Sequence, residues 1–307
     1  MALAGTPPSP ENEPMNENAR APGRSPLAAT LALLRPREWS KNVFVLAPLV
    51  FAGAFHRMDA LRDVGMAFVL FCIAASAVYI VNDLHDIAED RAHPVKARKR
   101  PLAAGDLSPR TAITILVLLY GLLALGALVL PQTGVIVVGY VLLNVAHTYL
   151  LKLQPVVDIF SIAIGFMLRV YAGAEAISVP VSSWMFVTTL CLALYLASIK
   201  RRQELNWAGG TGRAVLQHYT APLLERFAQT AATGALIFYS LFVMSTRPQL
   251  VITIPFVLFG LFRYQWLVEV RHAGESPAEA LLGDWQLMLT VVFWLGICAW
   301  AIGRRVI

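Results

Sequence analysis

Long apolar runs separated by short polar stretches fill the chain from about residue 43 to its end. A helix that crosses about 30 Å of hydrocarbon needs roughly 20 mainly apolar residues. The uncharged stretch 111–151 is too long for one crossing, and its Pro-Gln-Thr-Gly sequence at 131–134 predicts a dividing turn. The pattern therefore predicts an all-α, polytopic membrane protein with nine transmembrane helices, over 43–55, 64–81, 112–130, 134–151, 156–174, 181–199, 228–246, 250–262 and 285–303.

The composition supports this interpretation and excludes several other classes of protein. Apolar residues make up 57% of the 307 and charged residues 14%, against roughly 45–50% and about 25% in typical soluble domains. The mean hydropathy is +0.62. Cys72, Cys191 and Cys298 each lie in an apolar run without metal-ligand spacing, so they predict small buried side chains rather than a zinc site or disulfides.

The first 28 residues differ from the rest, because they hold six of the eighteen prolines together with Asn, Glu and Ser. Such a stretch buries too little apolar surface to offset its ordering entropy, so residues 1–28 are expected to form a disordered tail. It lacks the basic start and apolar centre of a secretory signal. The transmembrane domain is predicted over 31–307.

The distribution of Lys and Arg predicts the orientation. With the N-terminus inside, nineteen of the 25 basic residues fall on the cytoplasmic side and five outside, while Arg169 lies within a span. Basic loops stay cytoplasmic, so this asymmetry predicts a cytoplasmic N-terminus. It also accounts for the net charge of +6 without a nucleic-acid partner.

An acidic stripe follows the second predicted span. On a continuing helix, Asp83, Asp86 and Asp90 stand at i, i+3 and i+7, near one face, and Asn82 pairs with Asp86 at i, i+4. Carboxylate and amide oxygens in this pattern suit Mg²⁺, which also takes ligands from substrate phosphates. The alternative is a solvated helix end beside the membrane.

A basic loop, residues 93–105, follows the acidic stripe. This loop can fold back over the stripe. Acids that hold a metal beside cations that bind phosphate form the arrangement expected for a diphosphate substrate. Ordinary positive-inside topology explains most of these cations singly. Arg100 stands out from them because it directly precedes Pro-Leu-Ala-Ala-Gly.

These motifs resemble those of the UbiA superfamily of intramembrane prenyltransferases. The resemblance covers residues 31–303 and is carried by Asn-Asp-x-x-Asp-x-x-x-Asp at 82–90, Arg-Pro-Leu-x-x-Gly at 100–105 and Tyr-x-x-Lys at 149–152. It implies a nine-helix bundle with a central cavity that opens to the cytoplasm. It also implies that Asp83 and Asp86 are catalytic and that Tyr149 and Lys152 bind substrate.

One departure narrows the resemblance to a subfamily. Where typical members carry a second Asp-rich motif, this chain has Lys-Arg-x-x-Glu-Leu at 200–205. Together with Arg-Pro-x-x-Trp-x-Lys-Asn at 35–42 and Asp-Arg-Ala-His-Pro at 90–94, this sequence resembles the decaprenyl-phosphate phosphoribosyltransferases. The subfamily implies Mg²⁺ as cofactor, 5-phosphoribosyl 1-diphosphate as donor and a polyprenyl (decaprenyl) phosphate as acceptor. It also implies a bacterial cytoplasmic membrane, and a monomer and a homo-oligomer both remain open.

The implied chemistry is glycosyl transfer with inversion at the anomeric carbon, and it fits the exchanged motif. One diphosphate needs a metal, whereas the two monophosphates need Lys and Arg. The cations and polar groups predicted to bind the substrates are Lys41, Asn42, Arg91, Arg100, Tyr149, Lys152, Arg169, Lys200, Arg201 and Glu204.

Several of these assignments have alternatives. Lys41 and Asn42 can equally anchor the chain at the membrane interface. A buried Arg must face the bundle interior or a cavity, so Arg169 either holds the donor phosphate or forms an ion pair with Asp158 or Glu175. Glu204 is spaced to orient Lys200 or Arg201.

Two other functions compete with phosphoribosyl transfer. Prenyl transfer from a prenyl diphosphate to an aromatic acceptor is disfavoured by the missing second acidic motif. A transporter would place ionisable residues near the bilayer midplane, whereas here they gather at one predicted rim.

Overall fold

The structure, a computed structural model, describes residues 24–93, 95–207, 214–271 and 277–304. Their regular structure is helical, which confirms the all-α prediction. The α-helices, in chain order, are α1 (Pro26–Leu34), α2 (Ala47–Phe51), α3 (Met58–His85), α4 (Ile87–Ala92), α5 (Lys96–Lys99), α6 (Pro101–Ala104), α7 (Pro109–Val129), α8 (Pro131–Tyr149), α9 (Val157–Ala176), α10 (Ser183–Trp207), α11 (Ala221–Thr246), α12 (Ile254–Arg271), α13 (Pro277–Gly283) and α14 (Trp285–Gly303). The 3₁₀ segments are Pro36–Leu46, Ala54–His56, Leu151–Leu153, Ala214–His218 and Pro248–Thr253.

Seven helices in the described residues are long and apolar enough to cross a membrane: α3, α7, α9, α10, α11, α12 with the 3₁₀ turn before it, and α14. The protein is therefore a multi-pass membrane protein. The turn predicted within the uncharged stretch is confirmed, since α7 ends at Val129 and α8 begins at Pro131. Helix α8 falls outside the seven because Gln132, Asn144 and His147 lower its hydropathy.

The first predicted span, 43–55, is not one continuous helix, and this prediction is wrong. A 3₁₀ helix, Pro36–Leu46, leads into the short helix α2. The Ala47 N–H donates to the carbonyl of Phe44, three residues earlier. Pro48 has no N–H to donate to that carbonyl, so an α-helical hydrogen bond is missing there. The segment is nevertheless packed, with Val45 and Leu49 buried against α3.

The boundary of the predicted tail also needs correction. Residues 1–23 lie outside the described residues, but helix α1 begins at Pro26, before the predicted end of the tail at 28. The Ser25 side chain accepts a hydrogen bond from the Ala28 N–H, and Pro26 fits the first helical turn. Leu33 is buried against Ile80 of α3, so this segment does bury apolar surface.

Helix α3 is central, because it packs against α1, α7, α8, α9 and the first 3₁₀ segment. Ion pairs join helix ends at one end of the bundle, where α3, α8, α10 and α12 terminate and α9 and α11 begin. We call this the polar end. It gathers the acidic stripe, the basic loop and the Lys-Arg motif that the sequence analysis singled out.

Candidate active site

The acidic stripe begins on α3, but the helix breaks at Asp86. This residue has φ −92° and ψ 10°, and α4 begins directly after it. Backbone hydrogen bonding nearly continues, since the Asp86 N–H donates to Asn82 and the Asp90 N–H donates to Asp86. The prediction of one uninterrupted helix is therefore wrong, although Asp83 and Asp90 are both buried at this junction.

Two arginines meet at Asp83. Arg100 Nη1 lies 2.8 Å from Asp83 Oδ1 and also pairs with Asp90, so the basic loop does fold back over the stripe. Arg35 Nη2 lies 2.5 Å from the same Oδ1. Asp83 Oδ2 is buried and has no hydrogen-bond partner in the described part of the chain. One carboxylate oxygen of Asp83 thus contacts two arginines, whereas the other has no hydrogen-bond partner among the described residues.

Asp86 faces a different set of partners. Lys152 Nζ lies 3.1 Å from Asp86 Oδ1, His85 Nδ1 lies 2.6 Å from the same oxygen, and Asn82 Nδ2 donates to Oδ2 over 3.0 Å. Tyr149 packs edge-on against His85. Burial favours a higher pKa for Asp86, but the hydrogen bonds from His85 and Lys152 outweigh it and lower the pKa. The carboxylate is therefore ionised at neutral pH.

Asn82, Asp83, Asp86 and Asp90, the predicted metal ligands, are neighbours, but they do not converge on one point. Among the described residues, no three His, Cys, Asp or Glu side chains are placed to hold a metal ion together. Each of the three carboxylates is turned toward a cation instead, because Arg or Lys side chains are the nearest opposite charges. The side chains of the stripe were expected to meet around one metal ion, and among the described residues they do not.

A second group of charges surrounds Glu38 on the first 3₁₀ segment. Lys41 Nζ lies 2.5 Å from Glu38 Oε2, and the Tyr79 hydroxyl donates to the same oxygen over 3.0 Å. Lys41 and Tyr79 thus contact one carboxylate, and Tyr79 joins the first 3₁₀ segment to α3, whereas Lys200 lies toward the end of α10.

Arg169 lies deeper in the bundle and pairs with neither Asp158 nor Glu175. Its three nitrogens donate to Asn42 Oδ1 (2.8 Å), the Gly165 carbonyl (2.8 Å) and the Tyr140 hydroxyl (3.0 Å). The rings of Phe71, Tyr140 and Phe166 surround its guanidinium. No ion pair within the described residues compensates its charge, so the structural ion pair considered from the sequence does not form.

Arg201 is the partner of Asp158. Its Nε lies 2.6 Å from Asp158 Oδ2, and its Nη1 pairs with Glu204, one of the two partners that the spacing predicted for Glu204. The Tyr219 hydroxyl donates to Asp158 Oδ1 over 2.6 Å. Arg201 is 1% exposed, and its Nη2 is buried without a hydrogen-bond partner among the described residues. This arginine is held mainly by the protein itself.

Arg91 lies away from these groups. It is exposed, and no ion pair joins it to another residue in the described ranges. It follows the buried Asp90 on the short helix α4. The arrangement brings together the other predicted residues of the stripe and the basic loop with Lys152 and Tyr149.

Sequence reasoning missed Arg35, Glu38, Tyr79 and Tyr140. Arg35 is the first residue of the Arg-Pro-x-x-Trp-x-Lys-Asn motif, so the motif carried a signal for it, whereas Glu38 occupies an unspecified position of the motif. Tyr79 stands four residues before Asp83 on α3, a spacing that places both on one face of the helix. Tyr140 gave no comparable signal, because it lies in an apolar run of α8.

The arrangement at the polar end suits anionic ligands. Guanidinium and ammonium groups bind phosphates through charge-assisted hydrogen bonds, and a divalent cation bound by carboxylates can join them. The described residues offer Arg35, Arg100 and Lys152 beside the stripe, and Lys41, Lys200 and Arg169 farther along the bundle.

Comparison with known proteins shows to which family the chain is related. The family model of the UbiA prenyltransferase family matches residues 43–282. The chain is 33% identical to decaprenyl-phosphate phosphoribosyltransferase of Mycolicibacterium smegmatis, over 94% of this chain and 98% of the relative. It is 36% identical to the Mycobacterium tuberculosis protein of the same name, over 88% of this chain and 92% of the relative.

The fold matches that of a solved structure as well. A UbiA homolog from Archaeoglobus fulgidus, bound to GPP and Mg²⁺, superimposes with a TM-score of 0.68 at 19% identity, covering 89% of this chain and 99% of the homolog. At this identity the match establishes the fold. The chain belongs to the UbiA prenyltransferase family.

Proposed function

We propose that this protein transfers a phosphoribosyl group from 5-phosphoribosyl 1-diphosphate to a polyprenyl (decaprenyl) phosphate, releasing diphosphate. The observation that carries the proposal is the similarity, over nearly the whole chain, to relatives named decaprenyl-phosphate phosphoribosyltransferase. The cations Arg100, Lys152 and Arg169 support it, because such a reaction brings two monophosphates as well as one diphosphate.

The chemistry of the residues at the stripe fits a bound Mg²⁺, although their side chains do not converge on one point among the described residues. Asp83 Oδ2 is a buried carboxylate oxygen without a hydrogen-bond partner among the described residues, and Asn82, Asp86 and Asp90 offer further oxygens close to it in sequence. Hard oxygen ligands of this kind suit Mg²⁺, which also binds substrate phosphates. When bound, the ion would neutralise charge that develops on the departing diphosphate.

The cations of the chain supply the remaining contacts in this proposal. Arg100 and Lys152 lie next to the stripe and bind the donor, with Tyr149 beside them and Arg91 at the exposed rim. Lys41, Lys200 and Arg169 bind monophosphate groups. Asn42 orients Arg169 through a hydrogen bond, and Asp158 and Glu204 hold Arg201 close to the end of α10.

Catalysis in this proposal is mainly electrostatic. The acceptor phosphate is already anionic at neutral pH, so the attack needs no general base. Attack on the anomeric carbon from the face opposite the diphosphate inverts that centre through an oxocarbenium-like transition state. Asp83 and Asp86 are assigned as catalytic because they would hold the Mg²⁺ that neutralises the leaving diphosphate, and a key electrostatic contact of this kind is typically worth about 10²–10³ in rate.

The proposed membrane arrangement has nine crossings. The segment of 3₁₀ helix and α2 and the helix α8 add two crossings to the seven spans that length and hydropathy identify. The excess of Lys and Arg on one side supports a cytoplasmic position for the polar end and the N-terminus, in the cytoplasmic membrane of a bacterium. The central cavity implied by the family resemblance then opens to the cytoplasm, from which the water-soluble donor enters. The lipid acceptor reaches it from the membrane.

Purified protein in detergent can test the function directly. We expect ribose-labelled 5-phosphoribosyl 1-diphosphate to transfer its label to the organic phase only when decaprenyl phosphate and Mg²⁺ are both present. A parallel reaction offers a prenyl diphosphate and 4-hydroxybenzoate. Prenylation of the aromatic acceptor without phosphoribosyl transfer would overturn the proposal.

A further inference from the structure

Arg35 directly follows the last residue of α1, and its backbone conformation is unusual. It adopts φ 51° and ψ 58°, the left-handed region, which non-glycine residues enter at an energetic cost and often at functional sites. This conformation turns the chain from α1 into the first 3₁₀ segment. The Arg35 side chain consequently reaches Asp83, and its guanidinium carbon lies 4.7 Å from the centre of the Tyr79 ring.

Arg35 and Arg100 together neutralise the most deeply buried carboxylates of the stripe. Both donate to Oδ1 of Asp83, and Arg100 also pairs with Asp90. The side chains of these two aspartates are 1% and 3% exposed. Buried carboxylates need such compensation because an unpaired charge there is costly. Two guanidinium groups therefore stand where a divalent cation would be expected.

This pairing explains why the stripe does not form a ready metal site in the described residues. If Mg²⁺ bound to Asp83 while both arginines stayed there, several positive charges would crowd around two carboxylates. A diphosphate that arrives with the metal brings negative charge and planar arrays of oxygen acceptors. Guanidinium groups match those acceptors with paired hydrogen bonds, so the arriving ligand offers the arginines new partners.

We propose that Arg35 is a phosphate-binding residue that pairs with Asp83 in the substrate-free enzyme and passes to the donor diphosphate when it binds with Mg²⁺. The proposal rests on the proposed function for the identity of the donor. It assigns Arg35 two successive partners, whereas a purely structural arginine would keep Asp83 in both states.

The surroundings of Arg35 support its placement. Leu33 of α1 packs against Leu102 of α6. Arg24, just before α1, donates to the carbonyls of Arg98 and Lys99 and pairs with Asp106. The start of the described chain and the loop 96–106 thus form one cap that brings Arg35 and Arg100 to the same carboxylate.

Arg35→Gln tests the inference, with Arg37→Gln as matched control. Arg37 is exposed and forms no ion pair with another described residue. We expect Arg35→Gln to bind Mn²⁺ without donor about threefold more tightly, measured from the spectrum of free Mn²⁺ by electron paramagnetic resonance, because a competing cation has left Asp83. With saturating Mg²⁺, we expect its donor KM to rise about tenfold or more, since the phosphate loses charge-assisted hydrogen bonds.

Arg35→Lys covers the case in which the glutamine variant does not fold, as judged by thermal unfolding. Lysine keeps the positive charge but loses the planar pair of donors, so Mn²⁺ binding should match wild type while the donor KM rises several-fold. Weaker Mn²⁺ binding by Arg35→Gln, or results equal to those of Arg37→Gln, would overturn the inference. Absence of phosphoribosyl transfer by wild type would refute the proposed function separately, and the Mn²⁺ titration would still report competition at Asp83.

Discussion

Individual buried charges in this protein have two kinds of surroundings. Arg201 and Asp158 are almost fully buried and pair with each other, with Glu204 and Tyr219 completing the network. Arg169 is also buried, but its partners are neutral oxygens and aromatic rings. The first arrangement joins the start of α9 to the end of α10 through buried ion pairs. The second leaves a positive charge without an ionic partner among the described residues.

The buried network of Asp158, Arg201 and Glu204 predicts that removing one carboxylate lowers the stability of the protein. Asp158→Asn leaves the buried Arg201 without one of its two carboxylates, and breaking a buried pair in this way typically costs about 3–5 kcal/mol. We expect a clearly lower temperature of thermal unfolding for the purified protein in detergent. Asp63→Asn is the control, because Asp63 pairs with the well-exposed Arg62 and should leave the transition unchanged. Equal transitions for the two variants would contradict this account of Asp158.

At the residue scale, the sequence identified types of group better than their partners. Asp83, Asp86 and Asp90 were predicted from their spacing, and Arg100 was singled out by its motif. Nothing in the spacing indicates that Arg35, 48 residues before Asp83, reaches the same oxygen as Arg100. That contact depends on the left-handed backbone at Arg35 and on the packing of α1, which are tertiary features.

The first 3₁₀ segment is the element on which the site depends most, because it carries Glu38, Lys41 and Asn42. It lies close to α9 at Gly173, where an added Cβ would stand 1.8 Å from the Val45 carbonyl oxygen. Only glycine allows this approach of two backbones. The same contact sets the distance between Asn42 and Arg169, which are joined by a hydrogen bond.

Gly173→Ala should therefore separate the two elements. We expect lower thermal stability and a loss of transfer activity, since the methyl group pushes Val45 and the neighbouring Lys41 and Asn42 outward. Gly139→Ala in α8 is the matched control, because a Cβ there meets nothing within 4 Å and alanine favours a helix by up to about 1 kcal/mol. A Gly173→Ala protein as stable and active as Gly139→Ala would show that the close approach is unimportant.

Helices were predictable where local signals agreed. Pro131 divides the long uncharged stretch because it starts a helix well and cannot continue one, and α8 begins there. The first span was predicted wrongly as one helix because its hydropathy is high enough for a transmembrane helix. Pro48, however, removes a helical hydrogen bond within it. The start of α1 was missed although Ser25 and Pro26 form a recognised start signal, since the surrounding composition is that of a tail.

The whole molecule is polarised, with its ion pairs concentrated at one end of an apolar bundle. Lys152, Arg202 and Arg263 all form ion pairs at this end with residues of other helices or of the segments that connect them. Hydropathy and composition predicted the membrane class because those properties sum over many residues. The convergence of six elements on one polar end depends on packing and exceeds what local patterns specify.

The proposed orientation can be tested with single cysteines introduced into a variant that lacks the three native ones. Glu89 lies exposed at the polar end and Arg57 lies exposed at the start of α3, on the opposite side. In intact cells made permeable to small molecules at the outer membrane, a charged maleimide should label Arg57→Cys and leave Glu89→Cys unlabelled until lysis. The reverse pattern would contradict a cytoplasmic polar end.

The most direct test of the account combines Asp83 with labelled donor. The rate of transfer of label from 5-phosphoribosyl 1-diphosphate to decaprenyl phosphate is measured at saturating Mg²⁺ for wild type, Asp83→Ala and the exposed control Glu89→Gln. We expect Asp83→Ala to lose about 10²–10³ in rate and Glu89→Gln to match wild type. Transfer by Asp83→Ala at close to the wild-type rate would contradict the claim that this carboxylate supports the departure of diphosphate.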